Sequence, residues 1–493
     1  MNHHDTALYA GNKRFPTIAI IGAGFSGAMV AANLLRSSGR PLQVVLIEPR
    51  SLVGRGLAYS TEDPSHLLNV PCGKMGAWSD DTGGFHRWAQ AMLGDVPQEG
   101  FLPRFEYGRY IESELHAACS AAPGCTKLHR IAGEVVAARR SDGGFRIELA
   151  DHEPITADLI VLALGSGPAR IPDALKPIQS YEGRVISRIF DESQFSAIRK
   201  SDRVLTIGTG LTMCDAALAL ARGGFSGRMI AISRRGMLPR EHKAYTAPEW
   251  LGDWVRSLSD SLTLTALTRD IRDAIDRAES ESNDWRSVID GLRPRLPWLW
   301  QRLTVHDRAR FISHLASLWD VHRHRCAPEI ATSIAILRDR GILDVHAGRV
   351  ERAREHDGQI TASIRYRGEA ALHEQRFDRV LVCAGPECDV TRWDAPLMRQ
   401  LLADGILIPD ETRLGVRCSP CGAAIGSDGK PENCIAIVGP LRRAQLWEST
   451  AVPELRVQAS EVASHVLRVV HGRSAGAPEI RGHRKTKCKE IFR

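Results

Sequence analysis

The sequence predicts an α/β fold built from two dinucleotide-binding, Rossmann-like domains, the second inserted in the first, with a helical insertion. Three observations predict it. A strand, a G-x-G-x-x-G turn, a helix, a second strand and an acid follow one another from Thr17 to Glu48. A second G-x-G turn opens a helix directly after the apolar run Arg203–Ile207. Two later segments, Asp158–Gly165 and Phe377–Gly385, share one form: an acid, an apolar strand and a glycine. Two copies of that element beside two glycine turns make an internal repeat that chance explains poorly. The organisation that follows is a discontinuous first domain over 12–195 and 376–470. A second nucleotide-binding domain covers 196–375 and includes a helical insertion at about 241–330, and a basic, flexible tail covers 471–493.

Each part of the first unit has a physical role. Thr17–Ile21 is a short run of branched apolar residues, suited to a buried strand. Gly22 allows the tight turn, Gly24 lets the backbone approach a pyrophosphate, and Gly27 lets the helix pack close to the sheet. Phe25 and Ser26 lie between these glycines, where the helix begins and its free N–H groups and positive dipole end suit an anion. The strand Val44–Ile47 ends at Glu48, placed to accept hydrogen bonds from a ribose diol. Gly54 and Gly56 keep the next segment close to whatever Glu48 binds.

Phe85–Leu93 has helical spacing of apolar residues. Phe101–Tyr110 reads as a loop that leads into a helix over Ile111–Cys119. Ile131–Arg139 and Gly144–Leu149 flank a Ser-Asp-Gly turn and read as hairpin strands. Asp158–Gly165 is either a strand whose end, at Gly165, crosses against a bound cofactor or an ordinary central parallel strand.

The second unit departs from the first at two points. Met213 replaces the third glycine of Gly208-Thr209-Gly210-Leu211-Thr212-Met213, so the helix stands further off. Its second strand, Arg228–Ile232, ends in Ser233-Arg234-Arg235 and not in an acid. Arginine there suits the 2′-phosphate of NADPH, whereas an acid would favour NADH. Between 241 and 330 tryptophans cluster and charge is dense, and Val305–Arg325 carries a helical apolar stripe expected to be core. Alternating residues on a helix point apart, so His322-Arg323-His324-Arg325 is expected to form a solvated face with one buried histidine. Late in the chain, the strand Ile435–Val438, Gly439 and the helix Leu455–Val469 would return the fold to the first dinucleotide.

The totals restrict the function. A net charge of +7 with arginines spread along the chain argues against a nucleic-acid protein. No apolar run reaches the roughly 20 residues of a membrane span, and the polar start, Met1–Phe15, lacks the apolar core of a secretion signal. The eleven cysteines, odd in number, read as reduced thiols of a cytoplasmic protein. Cys418 and Cys421 form a C-x-x-C, but no second pair at metal spacing accompanies it, so no metal is expected.

The segments GAGFSG, GRGLAYS, HLLNVP, GTGLTMCDAA, SRRGMLPR, WDVHRHR and GPLRRAQLWESTAVPELR go further. They resemble bacterial FAD/NAD(P)-binding flavoproteins of the group containing an FAD-dependent urate hydroxylase and the L-aspartate N-monooxygenases. The resemblance covers roughly residues 15–470. It implies FAD at Gly22, Gly24, Phe25, Ser26, Gly27 and Glu48, with Gly165 and the late Gly439 helping to hold it. It implies NADPH or NADH as electron donor at Gly208 and Gly210, with Arg234 and Arg235. The loop Gly415–Asn433 departs from the group.

The implied chemistry uses O2 and a small-molecule substrate, with one oxygen passed to a nucleophile through a flavin C4a-hydroperoxide. Urate hydroxylation to 5-hydroxyisourate is its most concrete form. N-hydroxylation of a small amino acid such as aspartate is the alternative. A flavoprotein reductase, or a flavin-binding protein that does not oxygenate, is the alternative from another class. An anionic substrate needs cationic donors, and Arg104, Tyr107 and Arg109 are the candidate contacts.

Overall fold

The computed structural model describes residues 15–124, 126–180, 183–190, 192–258 and 263–474. The expected basic tail overlaps the last helix, which runs over Val452–Ser474. Residues 475–493 and 12–14 lie outside the described residues.

Two sheets carry the two glycine turns. In the first, the strand Thr17–Ile21 pairs in parallel with Gln43–Ile47 on one side and Leu159–Leu162 on the other. Lys127–Ile131 extends the sheet beyond Gln43–Ile47, and Pro431–Ile437 beyond Leu159–Leu162. The second sheet repeats this plan. Arg203–Ile207 lies between Arg228–Ser233 and Arg379–Val382, all parallel. The long strand Leu343–His356 follows and turns antiparallel into Gln359–Tyr366. The hairpin expected over Ile131–Arg139 and Gly144–Leu149 forms, but its first strand starts at Val135, and Ile131 ends a separate strand. Lys127–Ile131 joins the parallel sheet, and Val135–Ser141 joins a three-stranded antiparallel sheet with Gly144–Leu149 and Ile155–Ala157.

The repeat holds at the level of single hydrogen bonds. The carboxylates of Asp158 and Asp378 accept from the backbone N–H of Thr17 and Arg203, at 2.7 and 2.8 Å. Each acid thereby fixes the start of the central strand of its own sheet. At the other end, Ala163 N donates to Ile21 O at 2.9 Å and Cys383 N to Ile207 O at 2.7 Å.

Side chains of the first sheet alternate between two cores, as strand pleating requires. Ile18 and Ile20 join one with Val44 and Val161, whereas Ala19 and Ile21 join the other with Val45 and Ile47. The helix Phe25–Ser37 buries Ala28, Ala31 and Ala32 completely, and these small residues let it pack closely between Arg104–Ala121 and Val452–Ser474.

Two expected elements differ. The Phe101–Tyr110 segment is not a loop: a helix begins at Arg104 and runs to Ala121. Pro103 precedes its first turn and Glu106 lies within that turn, both favourable at a helix N-terminus. Gly108 and the aromatic residues have weak helix propensity and hid it. The tract Val305–Arg325 is two helices, Val305–His314 and Ala316–Arg323, broken at Leu315.

A buried ion pair ties the two nucleotide-binding units together. Arg104 Nη2 lies 2.9 Å from Asp215 Oδ2 on the helix Leu211–Arg222. Arg104 Nε also donates to Leu67 O, and His66 Nε2 lies 3.2 Å from Asp215 O. Removing one member of such a pair leaves the other charge buried and costs about 3–5 kcal/mol. Asp215→Ala is therefore expected to lower unfolding stability by about that amount, as measured by urea denaturation; a change below about 1 kcal/mol would show that the pair does not hold the units together.

Candidate functional site

At the first turn, Gly22 has φ +96° and its N–H donates to Ile47 O at 2.9 Å. A Cβ on Gly22 would lie 2.3 Å from Ala163 O, and one on Gly27 would lie 1.9 Å from Gly22 O. Gly24 faces Gly56 across 3.3 Å, measured from the position a Cβ would take, and Gly54 N donates to Ala23 O at 2.7 Å. The segment after Glu48 is thus folded directly over the turn. The first turn of helix Phe25–Ser37 holds no acid, so nothing on the helix opposes an incoming anion there.

Glu48 is 4% exposed and already engaged. Oε2 accepts from Ala23 N at 2.9 Å, and Oε1 accepts from Arg50 Nε at 2.7 Å. Burial pushes its acid up, but Arg50 and the Ala23 amide together outweigh that and hold it below the ordinary carboxylate value. Glu48 is therefore a fixed anion that also pins the glycine turn. The half-exposed Arg50 pairs with it from the solvent side.

The late segment returns to this turn. A Cβ on Gly439, φ +87°, would stand 3.2 Å from Ser26 Oγ, and Gly439 N donates to Gln458 Oε1 at 3.1 Å. Gly165, φ +70°, stands at the mouth with no atom near the place of a Cβ. Gly165, Pro386, Cys388, Gly415, Pro440 and Arg443 line a cleft where the ends of both sheets converge. Open space beside Gly165, glycines that admit no Cβ, and an anion at the strand end form a cradle whose shape and charge suit FAD.

The second turn copies the first. Gly208 has φ +106°, donates to Ile232 O at 2.8 Å, and would place a Cβ 2.1 Å from Cys383 O. Among the described residues no atom lies within 4 Å of the place of a Cβ on Gly210. Met213 is fully buried beneath the helix. Thr209 Oγ1 joins Ser233 Oγ at 2.8 Å and donates to Met237 O at 2.6 Å, which shapes the strand end in place of an acid. Arg234 is exposed and makes no side-chain hydrogen bond or ion pair among the described residues. Arg235 donates to His314 O and is already occupied. A cavity of about 240 Å³ adjoins this turn, lined by Met237, Leu238, Arg240, Val321 and Arg338 among others.

The three proposed substrate contacts do not gather at the cleft. Tyr107 is completely buried among Phe25, Tyr59, Phe85 and Tyr110, so it is a core residue. Arg104 is committed to Asp215, and Arg109 pairs with Glu106 at 3.0 Å. Where the sequence predicts a loop, a helix turns Tyr107 inward and spends both arginines on carboxylates.

The histidine–arginine tract is also corrected. Arg323 and Arg325 are 5% and 4% exposed. Arg325 Nη2 lies 2.6 Å from both oxygens of Asp290, and Arg323 Nη2 lies 3.3 Å from Glu448 Oε2. Because the helix ends at Arg323, the alternating residues no longer diverge as they would along a helix. Next to them Trp447 has φ +59° and ψ −59°, and Glu448 N donates to Leu446 O at 2.7 Å. That is a strained γ-turn, costing on the order of 1–3 kcal/mol for a side-chain-bearing residue.

With this geometry in place, the comparisons are informative. A family model described as FAD-NAD(P)-binding matches residues 19–167, so this part of the chain is an FAD/NAD(P)-binding domain. A search of curated proteins finds no match. L-lysine 6-monooxygenase from Pseudomonas syringae is similar at TM-score 0.63 and 14% identity, covering 93% of this chain and 100% of its own. Ornithine N-hydroxylase from Kutzneria sp. 744, with reduced FAD, NADP+ and L-ornithine, is similar at TM-score 0.60 and 15% identity, covering 94% and 100%. Thioredoxin reductase from Lactococcus lactis is similar at TM-score 0.51 and 12% identity, covering 93% and 100%. At these identities the likeness is one of fold: two Rossmann-like units shared by flavin monooxygenases and reductases. No described helix is long and apolar enough to cross a membrane.

Two substitutions test the site. Gly27→Ala, which would force a methyl onto Gly22 O, is expected to yield protein lacking flavin absorbance. Tyr107→Phe removes a buried hydroxyl with no hydrogen-bond partner among the described residues. It is expected to change stability by no more than about 1 kcal/mol and to leave substrate KM unchanged; a raised KM would restore Tyr107 as a contact.

Proposed function

We propose that the protein is an FAD-dependent, NAD(P)H-oxidising monooxygenase that N-hydroxylates a small amine or amino acid. The observation that carries this reading is whole-chain likeness to the lysine and ornithine hydroxylases at TM-scores of 0.63 and 0.60, against 0.51 for thioredoxin reductase at similar coverage. Urate hydroxylation has less support, because these similar structures are named for amine-bearing substrates. The reaction balances as amine, O2, NAD(P)H and a proton giving hydroxylamine, NAD(P)+ and water. Bound FAD supplies electron transfer and oxygen activation.

The chain's own residues supply position and exclusion of water. Gly208, Gly210 and Arg234 hold the donor nucleotide, with Arg234 on a 2′-phosphate. Gly22, Gly24, Gly27 and Glu48 hold the flavin nucleotide, with Gly165 and Gly439 beside it. The amine must lose its proton to act as a nucleophile, which an enclosed site assists.

A thiol reductase has less support. Cys418 and Cys421 are reduced, and Cys418 Sγ is spent on Gln445 Oε1 at 3.2 Å. Burial pushes the Cys418 thiol up despite Arg442 nearby, the opposite of what a reactive thiolate needs.

Flavin-loaded protein is expected to consume NADPH in the presence of an amine substrate and to form hydroxylamine in step with O2 uptake, measured by mass spectrometry. Consumption that no amine stimulates, with all oxygen recovered as peroxide, would overturn the reading. Arg234→Gln is expected to raise KM for NADPH roughly tenfold or more, the loss of one charge-assisted contact, and to leave KM for NADH unchanged.

A further inference from the structure

Two units of one chain move against each other by default unless a firm interface holds them. Here the chain crosses between the units twice, and the crossings pair. Arg170 N donates to Gly385 O at 2.9 Å, and Glu387 N donates to Pro168 O at 2.7 Å. A connection of this kind is the natural axis for a turn of the second unit. Three contacts away from it oppose that turn.

The first is at the helix Leu211–Arg222, which the second glycine turn opens. Asp215, in its second turn and 4% exposed, meets Arg104 at 2.9 Å. Arg222, its last residue, lies 3.6 Å from Asp63. The helix is thus tied near both ends to the first unit. The second contact is at His242, beyond the strand Arg228–Ser233. Its Nε2 lies 2.9 Å from Asn69 O, and its ring lies 5.1 Å from that of Phe101. The third is apolar: Leu67 and Phe101 of the first unit pack against the second unit's core of Val204, Met213 and Leu381.

One helix joins these contacts to the first glycine turn. Arg104 opens the helix Arg104–Ala121, and Tyr107 follows three residues later, about 4.5 Å along the axis. Tyr107 is completely buried and stacks on Phe25, the first residue of the helix at that turn, with ring centroids 6.1 Å apart. Ile111, a further turn on, stands 2.8 Å from the place of a Cβ on Gly54, in the segment folded over the turn. The first two turns of this helix therefore touch the second unit's nucleotide helix through Arg104 and the first unit's glycine turn through Tyr107 and Ile111.

We propose that the helix Arg104–Ala121 is a strut that fixes the two glycine turns relative to each other, with Arg104 and Asp215 as positioning residues, so that hydride passes from donor to flavin without rotation of the second unit. In that step the C4–H bond of the dihydronicotinamide breaks and the flavin gains the hydride: NAD(P)H and FAD give NAD(P)+ and FADH−. A buried ion pair is worth little over apolar packing, but it accepts one geometry, which suits placement. The inference rests on the proposed function for its two nucleotides and not for the substrate that is oxygenated.

Small-angle scattering is recorded on the flavin-loaded full chain alone, with NADP+, and after reduction by dithionite. One unchanged profile is expected. Anaerobic mixing with NADPH, followed by flavin absorbance, is expected to give a reduction rate indifferent to solvent viscosity. Asp215→Asn is expected to slow reduction roughly 100-fold, the cost of an ångström-scale misplacement, with flavin content and the Kd for NADP+ unchanged. Arg104→Lys, which keeps the charge, is expected to retain part of the rate. Where Asp215→Asn does not hold flavin, the double variant Arg222→Gln with His242→Phe decides. It leaves the buried pair intact and is expected to slow reduction roughly tenfold.

A wild-type profile that changes with NADP+, a wild-type rate that falls with viscosity, or an unchanged rate in the deciding flavin-loaded variant would overturn the proposal. Hydroxylamine formation is measured in parallel. Product from a protein whose profile changes would sink the strut and keep the N-hydroxylase; a constant profile with slowed variants and no product from any amine would do the reverse.

Discussion

Both nucleotide sites depend on a glycine pressed against a carbonyl. Gly22 meets Ala163 O and Gly208 meets Cys383 O, each where a Cβ would lie within 2.3 Å of the oxygen. The contact joins three strands at one point: the strand that ends in the glycine, the parallel neighbour whose carbonyl accepts the glycine N–H, and the strand supplying the blocking carbonyl. Only a residue without a side chain, at φ near +100°, fits there. The turn then delivers a helix N-terminus to the sheet edge, the common structural basis of phosphate binding at such sites. The Asp158 and Asp378 carboxylates, which fix the far end of each central strand, serve the same register.

What is built around the two turns differs, and the helical insertion accounts for much of it. Trp250, Trp254 and Trp298 pack in cores internal to the insertion, but other aromatic residues reach out of it. Trp300 and Phe311 pack on Trp447, and Trp300 Nε1 donates to Ala444 O at 2.7 Å. Arg293 pairs with Glu454 at the start of the last helix. The insertion leaves the second unit and closes on the segment that returns to the first.

The sequence made the repeat legible because its signals are local. Strand, glycine spacing and terminal acid lie within about thirty residues of one another, the length of a βαβ unit, and each has a steric reason. The return of Gly439 to Ser26 was legible for the same cause, a strand followed by glycine and helix. Legibility failed where a residue's partner lies far away in sequence. Arg104 is a plausible substrate clamp until Asp215 is seen beside it, 111 positions on. The tract from His322 to Arg325 looks like a solvated face until Asp290, Glu448 and Glu454 surround it. Nothing within a few residues of Trp447 announces its γ-turn, because tertiary packing imposes that strain. Arginine-rich stretches are hard to read for this reason: burial depends on acids that periodicity does not locate.

The departures between the two units separate their tasks. In the first, Gly27 lets the helix rest on Gly22 O and the second strand ends in a buried acid tied to Ala23 N. A cofactor received there meets a closed turn, covered by the segment through Gly54 and Gly56 and by the late Gly439. Release would require several packed segments to move. In the second, Met213 fills the space beneath the helix, and the strand ends in hydroxyls that bond to each other and to Met237 O. Among the described residues no atom lies within 4 Å of the place of a Cβ on Gly210, and Arg234 is exposed. The second turn is therefore the more open of the two, with an exposed and uncommitted arginine beside it. The proposed placing of a resident flavin at the first turn and a consumed electron donor at the second rests on this asymmetry between two copies of one motif.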